Sequence, residues 1–452
     1  MSTGPLLALR LDADAPLGLQ IEQRIRGLIR SGGLPAGAEL PSTRALAVDL
    51  GVSRGVVVGA YAQLAAEGYI ALRRGAAPTV ALRARQPEPS PAGSDVAFAG
   101  ARFNLRPDLP DLALFPRQDW LAACRSSLHR AANADLAYGE PFGAIELRRR
   151  LAPFLARTRG VVAGPERTGV FAGTTQALFT ITSVLREQGA RRIAVEDPGH
   201  RWRTRALGAT GLEVVPVPVD GEGLCVDLLP GDVSAVVVSP DHQFPLGVSL
   251  APERRRALVE WAANGDRLVL EHDYDGHFRY DRPPAGTLQG LAPEHVVYVG
   301  GASALLAPTL RIGWAALPAR LVVPVVNRTF ATGIAAPRLS QLALADLIAS
   351  GALDRHLRRA RTAYKRRREV LLAALGRRFA DAVVGGVAAG LYVCLPLPDT
   401  DEAELLAAAR GRGFALDGIN EHALLPQPHG LVLGFAAAPE PTLRRAVTSL
   451  PS

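Results

Sequence analysis

The sequence predicts an α/β protein with a small, mostly helical head at its amino terminus. Helical patterns fill residues 16–82, and a Pro-rich stretch without periodic apolar positions covers residues 83–102. From about Phe103 the chain alternates strand and helix patterns, which is typical of a mostly parallel sheet with crossover helices. We therefore expect a head over 1–82, a linker over 83–102 and a large unit over 103–452.

The length of the chain limits the number of domains, and its charge indicates the class of partner. A chain of 452 residues is too long for one compact domain and fits two or three. The net charge is +8, and residues 1–85 hold ten Arg against six acidic residues. A cationic amino-terminal fifth favours a polyanionic partner.

Cysteine spacing and hydropathy exclude several classes of protein. The three cysteines, Cys124, Cys225 and Cys394, are far apart and lack the spacing of a zinc site or a disulfide framework. Apolar runs are broken by Arg or Pro well short of a membrane span, and no signal-peptide pattern opens the chain. We expect a cytoplasmic protein without a metal site or a membrane partner.

The head has the order helix, helix, helix and hairpin. Its first apolar-periodic helix stops at Ser31-Gly32-Gly33, and Ser42 and Ser53 are candidate N-caps of the second and third helices. Gly68-Tyr69-Ile70 then opens a strand pair around Arg73-Arg74-Gly75. Two helices joined by a short turn and followed by a wing form a DNA-reading arrangement.

The head resembles the winged helix-turn-helix of GntR-type bacterial repressors. The resemblance rests on Leu40-Pro41-Ser42-Thr43-Arg44, Leu46-Ala47, Leu50-Gly51-Val52-Ser53-Arg54, Ala60-Tyr61, Leu64 and Glu67-Gly68-Tyr69. It implies that Arg44, Ser53 and Arg54 lie at the DNA face, although Ser53 could serve as a cap alone. Arg73 and Arg74 could contact phosphates from the wing or form a solvated charge pair.

The third helix and the wing depart from the pattern of that family. The helix carries Gly55, Val56 and Gly59 where polar or basic residues are usual, and a helix-interior Gly costs about 1 kcal/mol relative to Ala. The wing has Gly75-Ala76-Ala77-Pro78 in place of a Gly-Ser-Gly-Thr type of tip. These departures predict weaker DNA binding.

In the large unit, polar segments follow predicted buried strands. The strands are 169–172, 192–195, 235–239, 267–270 and 296–299. Ligands gather at the carboxyl ends of parallel strands, because those ends meet at one edge of the sheet. Gly173-Thr174-Thr175-Gln176 opens a helix there, where free amides and hydroxyls can hold a phosphate; an ordinary glycine turn with a threonine cap is the alternative.

These segments resemble, in order, those of fold-type I pyridoxal-phosphate aminotransferases. The matching segments are Phe115-Pro116-Arg117, Tyr138–Gly143, Gly173–Leu178, Glu196–His200, Pro240–Gly247, Glu271–Asp275 and Tyr298–Trp314. Together with the head, they make the chain similar to the MocR group of GntR regulators. The resemblance implies an aminotransferase fold type I, with a mostly parallel large domain over 103–330 and a small α+β domain over 331–452. It also implies a homodimer and a phosphate-binding role for Arg311.

The same resemblance predicts that catalysis is lost. Ala304 stands where the family has its Schiff-base lysine, and Lys365, the only lysine of the chain, falls in a basic helical run. His272 replaces the Asp that pairs with the pyridine nitrogen, and 413–443 contains no Arg for a substrate carboxylate. A methyl group cannot hold an aldimine, and an imidazole cannot stabilise a pyridinium as a carboxylate does. We expect no catalytic residue.

The predicted ligand pocket collects side chains from these segments. Its members are Gly173, Thr174, Thr175, Gln176, His200, His242, Gln243, His272, Asp273, Tyr274, Ser303, Ala304 and Arg311. Asp273 is not expected to replace His272 towards a pyridine ring, because neighbouring strand residues point to opposite faces. No covalently bound cofactor is expected; a noncovalently held pyridoxal phosphate or another anion is the alternative.

Three hypotheses for function stay open. The first is a homodimeric regulator that binds double-stranded DNA and responds to an unidentified small-molecule effector through an inactive aminotransferase-like unit. The second is an enzyme, or a noncovalent cofactor binder, with different chemistry from His200, His242, His272 and Asp273. The third is a DNA-independent scaffold, which the altered third helix and wing motivate.

Overall fold

The computed structural model contains two compact units, Met1–Ala97 and Phe98–Ser452. The residues that it describes are 15–81, 101–283, 285–380 and 382–451. Most of the predicted linker, residues 83–100, lies outside this described part.

The head consists of three helices and a two-stranded wing. Its elements are α1 (Leu17–Arg30), α2 (Thr43–Asp49), α3 (Arg54–Ala66), β1 (Ile70–Ala71) and β2 (Thr79–Val80). One face of α1 buries Ile21, Ile25 and Ile29, whose four-residue spacing puts them on one stripe of the helix. This stripe shares a core with α3, where Tyr61 is buried and donates a hydrogen bond to the carbonyl oxygen of Pro41 at 2.9 Å.

The two predicted N-caps of the head differ. The Ser42 hydroxyl accepts a hydrogen bond from the amide of Ala45 at 3.2 Å, so this cap is confirmed. Ser53 occupies the N-cap position of α3, but its side chain makes no capping bond. The prediction that its hydroxyl caps α3 is therefore wrong, and the hydroxyl is exposed at the start of this helix.

The large unit begins with elements that build and cover its central sheet. They are β3 (Phe103–Asn104), α4 (Arg117–Arg130), α5 (Ile145–Arg159), β4 (Thr168–Phe171), α6 (Thr174–Glu187), β5 (Arg192–Asp197), α7 (Arg201–Gly208), β6 (Glu213–Asp220), β7 (Gly223–Leu224), β8 (Ala235–Val238), α8 (Pro252–Asn264), β9 (Leu268–Asp273), α9 (Leu288–Leu291), β10 (Val296–Gly301), α10 (Ala302–Leu305), β11 (Gly313–Ala316) and α11 (Ala319–Thr332).

The carboxyl-terminal part contains long helices and a small antiparallel sheet. Its elements are α12 (Arg338–Ala349), α13 (Ala352–Arg378), β12 (Tyr392–Pro396), α14 (Glu402–Gly411), β13 (Phe414–Ala415), β14 (Asp417–Gly418), β15 (Gly430–Gly434) and α15 (Glu440–Ser449). Strands β12, β15 and β14 pair in that order, while β13 pairs with β3 in parallel. Strands and helices are mixed here, in line with the predicted α+β character.

The central sheet is mostly parallel, as predicted. Its strand order is β4-β11-β10-β9-β8-β5-β6-β7, with β10, β9, β8, β5 and β6 parallel and β11 antiparallel to both neighbours. The sequence pattern did not predict β6 or β11. Strand β6 contains Pro216 and Pro218, which it tolerates because its far side pairs with β7 only through Val219 and Asp220.

Alternating residues of the parallel strands face two separate cores. Val195, Val237 and Leu270 pack with α6 on one side of the sheet. Their chain neighbours Val236 and Val269 pack with α8 on the other. Because helices cover both faces, the open approach to the sheet is along the edge where β4, β5, β8, β9 and β10 end.

No helix in the described part of the chain is long and apolar enough to span a bilayer.

Candidate functional site: a cavity at the strand ends of the large unit

A cavity of about 250 Å³ opens where the parallel strands end. It is lined by Asp108, Thr174, Thr175, His200, Trp202, His272, Tyr274, Gly301, Ser303, Ala304, Pro308, Arg311 and Leu391. The strands bring these segments together because their carboxyl ends share one edge of the sheet. The lining divides into two chemically different walls.

The polar wall consists of Thr174, Thr175, Ser303 and Arg311. Its geometry starts at Gly173, which takes a φ of 101° and turns the chain from β4 into α6. The Arg311 guanidinium packs on this turn and donates a hydrogen bond to the carbonyl oxygen of Ala172 at 3.1 Å. A Cβ on Gly173 would lie 3.2 Å from the Arg311 Nη2 atom, so glycine permits this close packing.

The polar wall has the chemistry of an anion site. No side chain caps α6 in the described structure, so amides of its first turn keep their hydrogen-bonding capacity. Their dipoles and the Arg311 charge act in the same direction on an anion, and guanidinium groups bind phosphate or carboxylate with paired hydrogen bonds. The wall can therefore hold an oxyanion.

The aromatic wall consists of the rings of His200, Trp202, His272 and Tyr274. The His272 ring meets those of Trp202 and His200 nearly edge-on, with centroid distances of 5.6 and 5.8 Å. His200 also stacks on Phe244 at 3.9 Å with an interplanar angle of 5°. This stacking fixes the orientation of the His200 ring and hence of the wall.

His272 is a buried, uncharged polar group in the aromatic wall. Its side chain is buried at 1% exposure, and neither ring nitrogen has a hydrogen-bond partner among the described residues. Burial, with repulsion from Arg203, lowers the pKa of His272 to about 3. An unsatisfied buried polar group costs about 1–3 kcal/mol, so a bound ligand that pairs with it would remove a penalty.

Asp273, the next residue of β9, faces away from the cavity. Its carboxylate accepts hydrogen bonds from Arg159 Nε at 2.6 Å and from the Tyr298 hydroxyl at 2.8 Å. Arg159 is itself buried and pairs with Asp241 as well. Burial acts to raise the pKa of Asp273, but attraction by Arg159 outweighs it and the pKa falls to about 2. The inclusion of Asp273 in the predicted pocket is therefore wrong.

The surface of the head carries the predicted DNA-facing residues. They are all exposed: Arg44, Ser53, Arg54, Arg73 and Arg74. Within the described ranges, none of these four arginines forms an ion pair, whereas Arg26 pairs with Glu67 at 2.7 Å. Unpaired exposed guanidinium groups are suited to phosphate contacts.

Comparison with known proteins agrees with both units. A family model described as bacterial regulatory proteins of the gntR family matches residues 17–80, and one described as aminotransferase class I and II matches residues 108–450. The HTH-type pyridoxine biosynthesis transcriptional regulator PdxR of Corynebacterium glutamicum is 33% identical over 97% of this chain and 96% of its own. The probable rhizopine catabolism regulatory protein MocR of Rhizobium meliloti is 31% identical over 99% and 95%.

The chain belongs to the MocR group of GntR-family transcriptional regulators. Its large unit has the aminotransferase fold, since an archaeal alanine:glyoxylate aminotransferase superposes with a TM-score of 0.73 at 25% identity, covering 79% of this chain and 92% of that one. The predicted combination of a winged helix-turn-helix head and an aminotransferase fold type I is confirmed. A regulator of this family binds DNA through its head.

Not every residue predicted for the pocket of this MocR-type regulator lines the cavity. Gln176 turns along its helix, where its Oε1 accepts from the Ala172 amide at 3.0 Å and its Nε2 donates to Thr180. His242 Nδ1 contacts Asp275 at 2.9 Å, and Gln243 donates to the Pro198 carbonyl oxygen at 2.7 Å. The side chains of Gln176, His242 and Gln243 therefore bond to neighbouring protein groups and do not line the cavity. Gly173 forms the turn before α6.

Sequence patterns also missed part of the lining of this regulator. The missed residues are Asp108, Trp202, Gly301, Pro308 and Leu391. Trp202 stands two residues beyond His200 and could have been found as the next ring along the chain. Asp108 and Leu391 come from distant segments that only the tertiary fold joins.

The regulator has no lysine among the described residues that line this cavity. Ala304 contributes a methyl group in α10 and is buried at 8% exposure. Lys365 is exposed on α13 and is not part of the lining. Within the described ranges, no group of three or more His, Cys, Asp or Glu side chains is arranged to hold a metal ion.

Proposed function

We propose that this regulator controls transcription with a non-catalytic aminotransferase-like unit that binds a small-molecule effector. The observation that carries the proposal is the methyl group of Ala304 in a cavity whose described lining includes no amine. Transamination needs an amine that forms an aldimine and then moves protons, and no lining residue can supply it. The unit keeps a binding cavity without the group that reacts.

The residues of the cavity fit pyridoxal phosphate, the cofactor that the fold family implies, at one end only. Thr174, Arg311 and the start of α6 suit a phosphate. Ala304 offers nothing to the aldehyde, and His272 offers no negative charge to a protonated pyridine nitrogen. We therefore assign no reaction to this group in the chain and treat the cavity as a site for noncovalent binding.

We further propose that Ser53 and Arg54 at the start of α3, together with Arg44, lie against the DNA. Their exposure and the absence of ion pairs at these arginines, within the described ranges, support this role. Arg73 and Arg74 at the wing would contact phosphates. A homodimer would present two heads to paired half-sites, and a DNA-binding regulator of this kind acts in the cytoplasm.

A mobility-shift assay on the DNA that flanks its own gene tests the regulator. We expect a shift that weakens with salt, because phosphate contacts release counterions. Arg54→Ala should weaken binding about five-fold or more, since a lost guanidinium contact to a base costs about 1–3 kcal/mol. Arg24→Ala, which removes an exposed arginine of α1, is the matched control and should leave the shift unchanged.

Two results would contradict this proposal. Unchanged DNA mobility at low salt with the wild-type protein would favour a DNA-independent scaffold. Equal loss of binding in the Arg54→Ala and Arg24→Ala variants would remove the assignment of the start of α3 to the DNA face.

A further inference from the structure

The two walls of the cavity favour different chemical groups of a ligand. The polar wall offers positive charge, whereas the aromatic wall offers flat rings and uncharged hydrogen-bonding atoms. We propose that the cavity selects a planar-ring ligand with one oxyanion and an uncharged ring, which His272 recognises by a hydrogen bond. This inference rests on the proposed non-catalytic function and names the class of effector.

Among the described residues that line the cavity, His272 lacks a hydrogen-bond partner at both ring nitrogens and His200 lacks one at Nε2. His272 is 1% exposed. The rings of His200 and Trp202 lie nearly edge-on to its imidazole, with centroid distances of 5.8 and 5.6 Å. A neutral imidazole carries one donor and one acceptor nitrogen, and either can bond to a ring nitrogen or hydroxyl of a ligand.

The charges around His272 disfavour a cationic ring. The buried guanidinium of Arg203 lies close enough to repel a proton on His272. The Glu196 carboxylate is engaged with Arg203 at 3.5 Å and with the Ser239 amide. Asp273, the carboxylate next in sequence, is turned to Arg159. A positive ring beside His272 would therefore meet the charge of Arg203, while the carboxylates of Glu196 and Asp273 are already paired with arginines.

The other end of the cavity requires a negative group. Arg311 and the uncapped start of α6 suit one oxyanion, either phosphate or carboxylate. Asp108 on the same lining would repel a second anion. At about 250 Å³ the cavity is near the small end of ligand pockets, typically about 300–1,000 Å³, which favours a single substituted ring.

The test uses three phosphates of nearly the same shape, measured by calorimetry with the full-length protein near neutral pH. They are 3-pyridylmethyl phosphate, with an uncharged ring that accepts a hydrogen bond; benzyl phosphate, which lacks the ring nitrogen; and the N-methylated pyridinium form, which is permanently cationic. Inorganic phosphate is the fourth probe and measures the anion site alone.

The wild-type protein should bind the uncharged pyridyl probe about ten-fold or more tightly than the cationic probe, because burying an uncompensated charge is unfavourable. Benzyl phosphate should lie between them, and inorganic phosphate should bind most weakly. His272→Asp should reverse the preference and bind the cationic probe more tightly than the uncharged one. His129→Asp, the same change on the exposed face of α4, should behave as wild type.

If the His272→Asp variant does not fold, His272→Leu replaces it as the test variant. The Leu variant should bind the pyridyl and benzyl probes equally. Wild-type binding of the cationic probe as tight as the uncharged one overturns the inference. Inorganic phosphate binding as tightly as the pyridyl probe, or no binding of any probe, also overturns it. If the ligand inference fails but the protein still shifts its DNA, the proposed regulatory function is unaffected. Turnover of amino acids by the protein would instead contradict the proposed non-catalytic function.

Discussion

Two neighbouring residues of β9 occupy opposite surroundings. Asp273 is charged and accepts hydrogen bonds from Arg159 and Tyr298 on one face of the sheet. His272 faces the cavity, is uncharged, and has no partner within the described residues. This strand therefore uses its carboxylate to stabilise the fold, while its imidazole faces the cavity, where we propose that it bonds to a ligand.

The largest expected effect is on the charged face. Arg159→Met should lower the free energy of unfolding by about 3–5 kcal/mol, because it leaves the buried carboxylate of Asp273 without a counter-charge, whereas Asp241 keeps its pair with Arg255. Urea unfolding followed by circular dichroism measures this loss. The control is Arg157→Met, which breaks an exposed pair with Asp354 and should cost less than about 1 kcal/mol.

Equal destabilisation by the two Met variants would contradict this prediction. It would mean that the buried pair contributes no more than a solvent-exposed one. In that case the pairing of Asp273 with Arg159 would contribute little to the free energy of unfolding.

The pH dependence of stability gives the second effect. The pKa of Asp273 falls from 3.8 to about 2 on folding, so its stabilisation is present above pH 3.8 and is lost as the pH falls towards 2. The loss should be about 2 kcal/mol. Asp273→Asn should flatten the curve in this window. Glu271 affects stability over a different pH range. Burial raises its pKa from 4.5 to about 7, so the protein loses stability as the pH rises from 4.5 to about 7.

Chemical denaturation in steps between pH 5 and pH 2 checks this prediction. An Asp273→Asn protein with the same slope as wild type would show that another group causes the acid loss.

The smallest effect is expected at His272. His272→Leu should leave stability unchanged or raise it by about 1 kcal/mol, because it removes two buried nitrogens that have no partners in the described structure. Thermal unfolding without ligand measures this change. A loss of several kcal/mol would indicate that His272 supports the fold, and the contrast with Asp273 would disappear.

Local patterns predicted most of the fold and the outline of the site. Alternation along β9 predicted that Asp273 cannot replace His272, and the strand-to-helix turn at Gly173 was visible as a glycine before two threonines. The pairing of Asp273 with Arg159, 114 residues earlier in the chain, was not visible, so Asp273 was wrongly placed in the pocket. Asp108 and Leu391 were missed because only long-range packing brings them to the cavity.

Strand β6 illustrates another limit of local patterns. Prolines within a run argue against a strand, yet β6 contains Pro216 and Pro218. The edge position that makes them acceptable is a property of the strand order, which no local window contains.

The described lining of the cavity contains no lysine that could form an aldimine. Incubation with pyridoxal phosphate, reduction with borohydride and measurement of the intact mass test whether the protein holds this cofactor covalently. We predict no stoichiometric adduct on the wild-type chain and a gain of one adduct in Ala304→Lys, where the restored amine lies beside the polar wall. A stoichiometric adduct on Lys365 of the wild-type protein would show that the chain does supply a reactive amine to the cofactor.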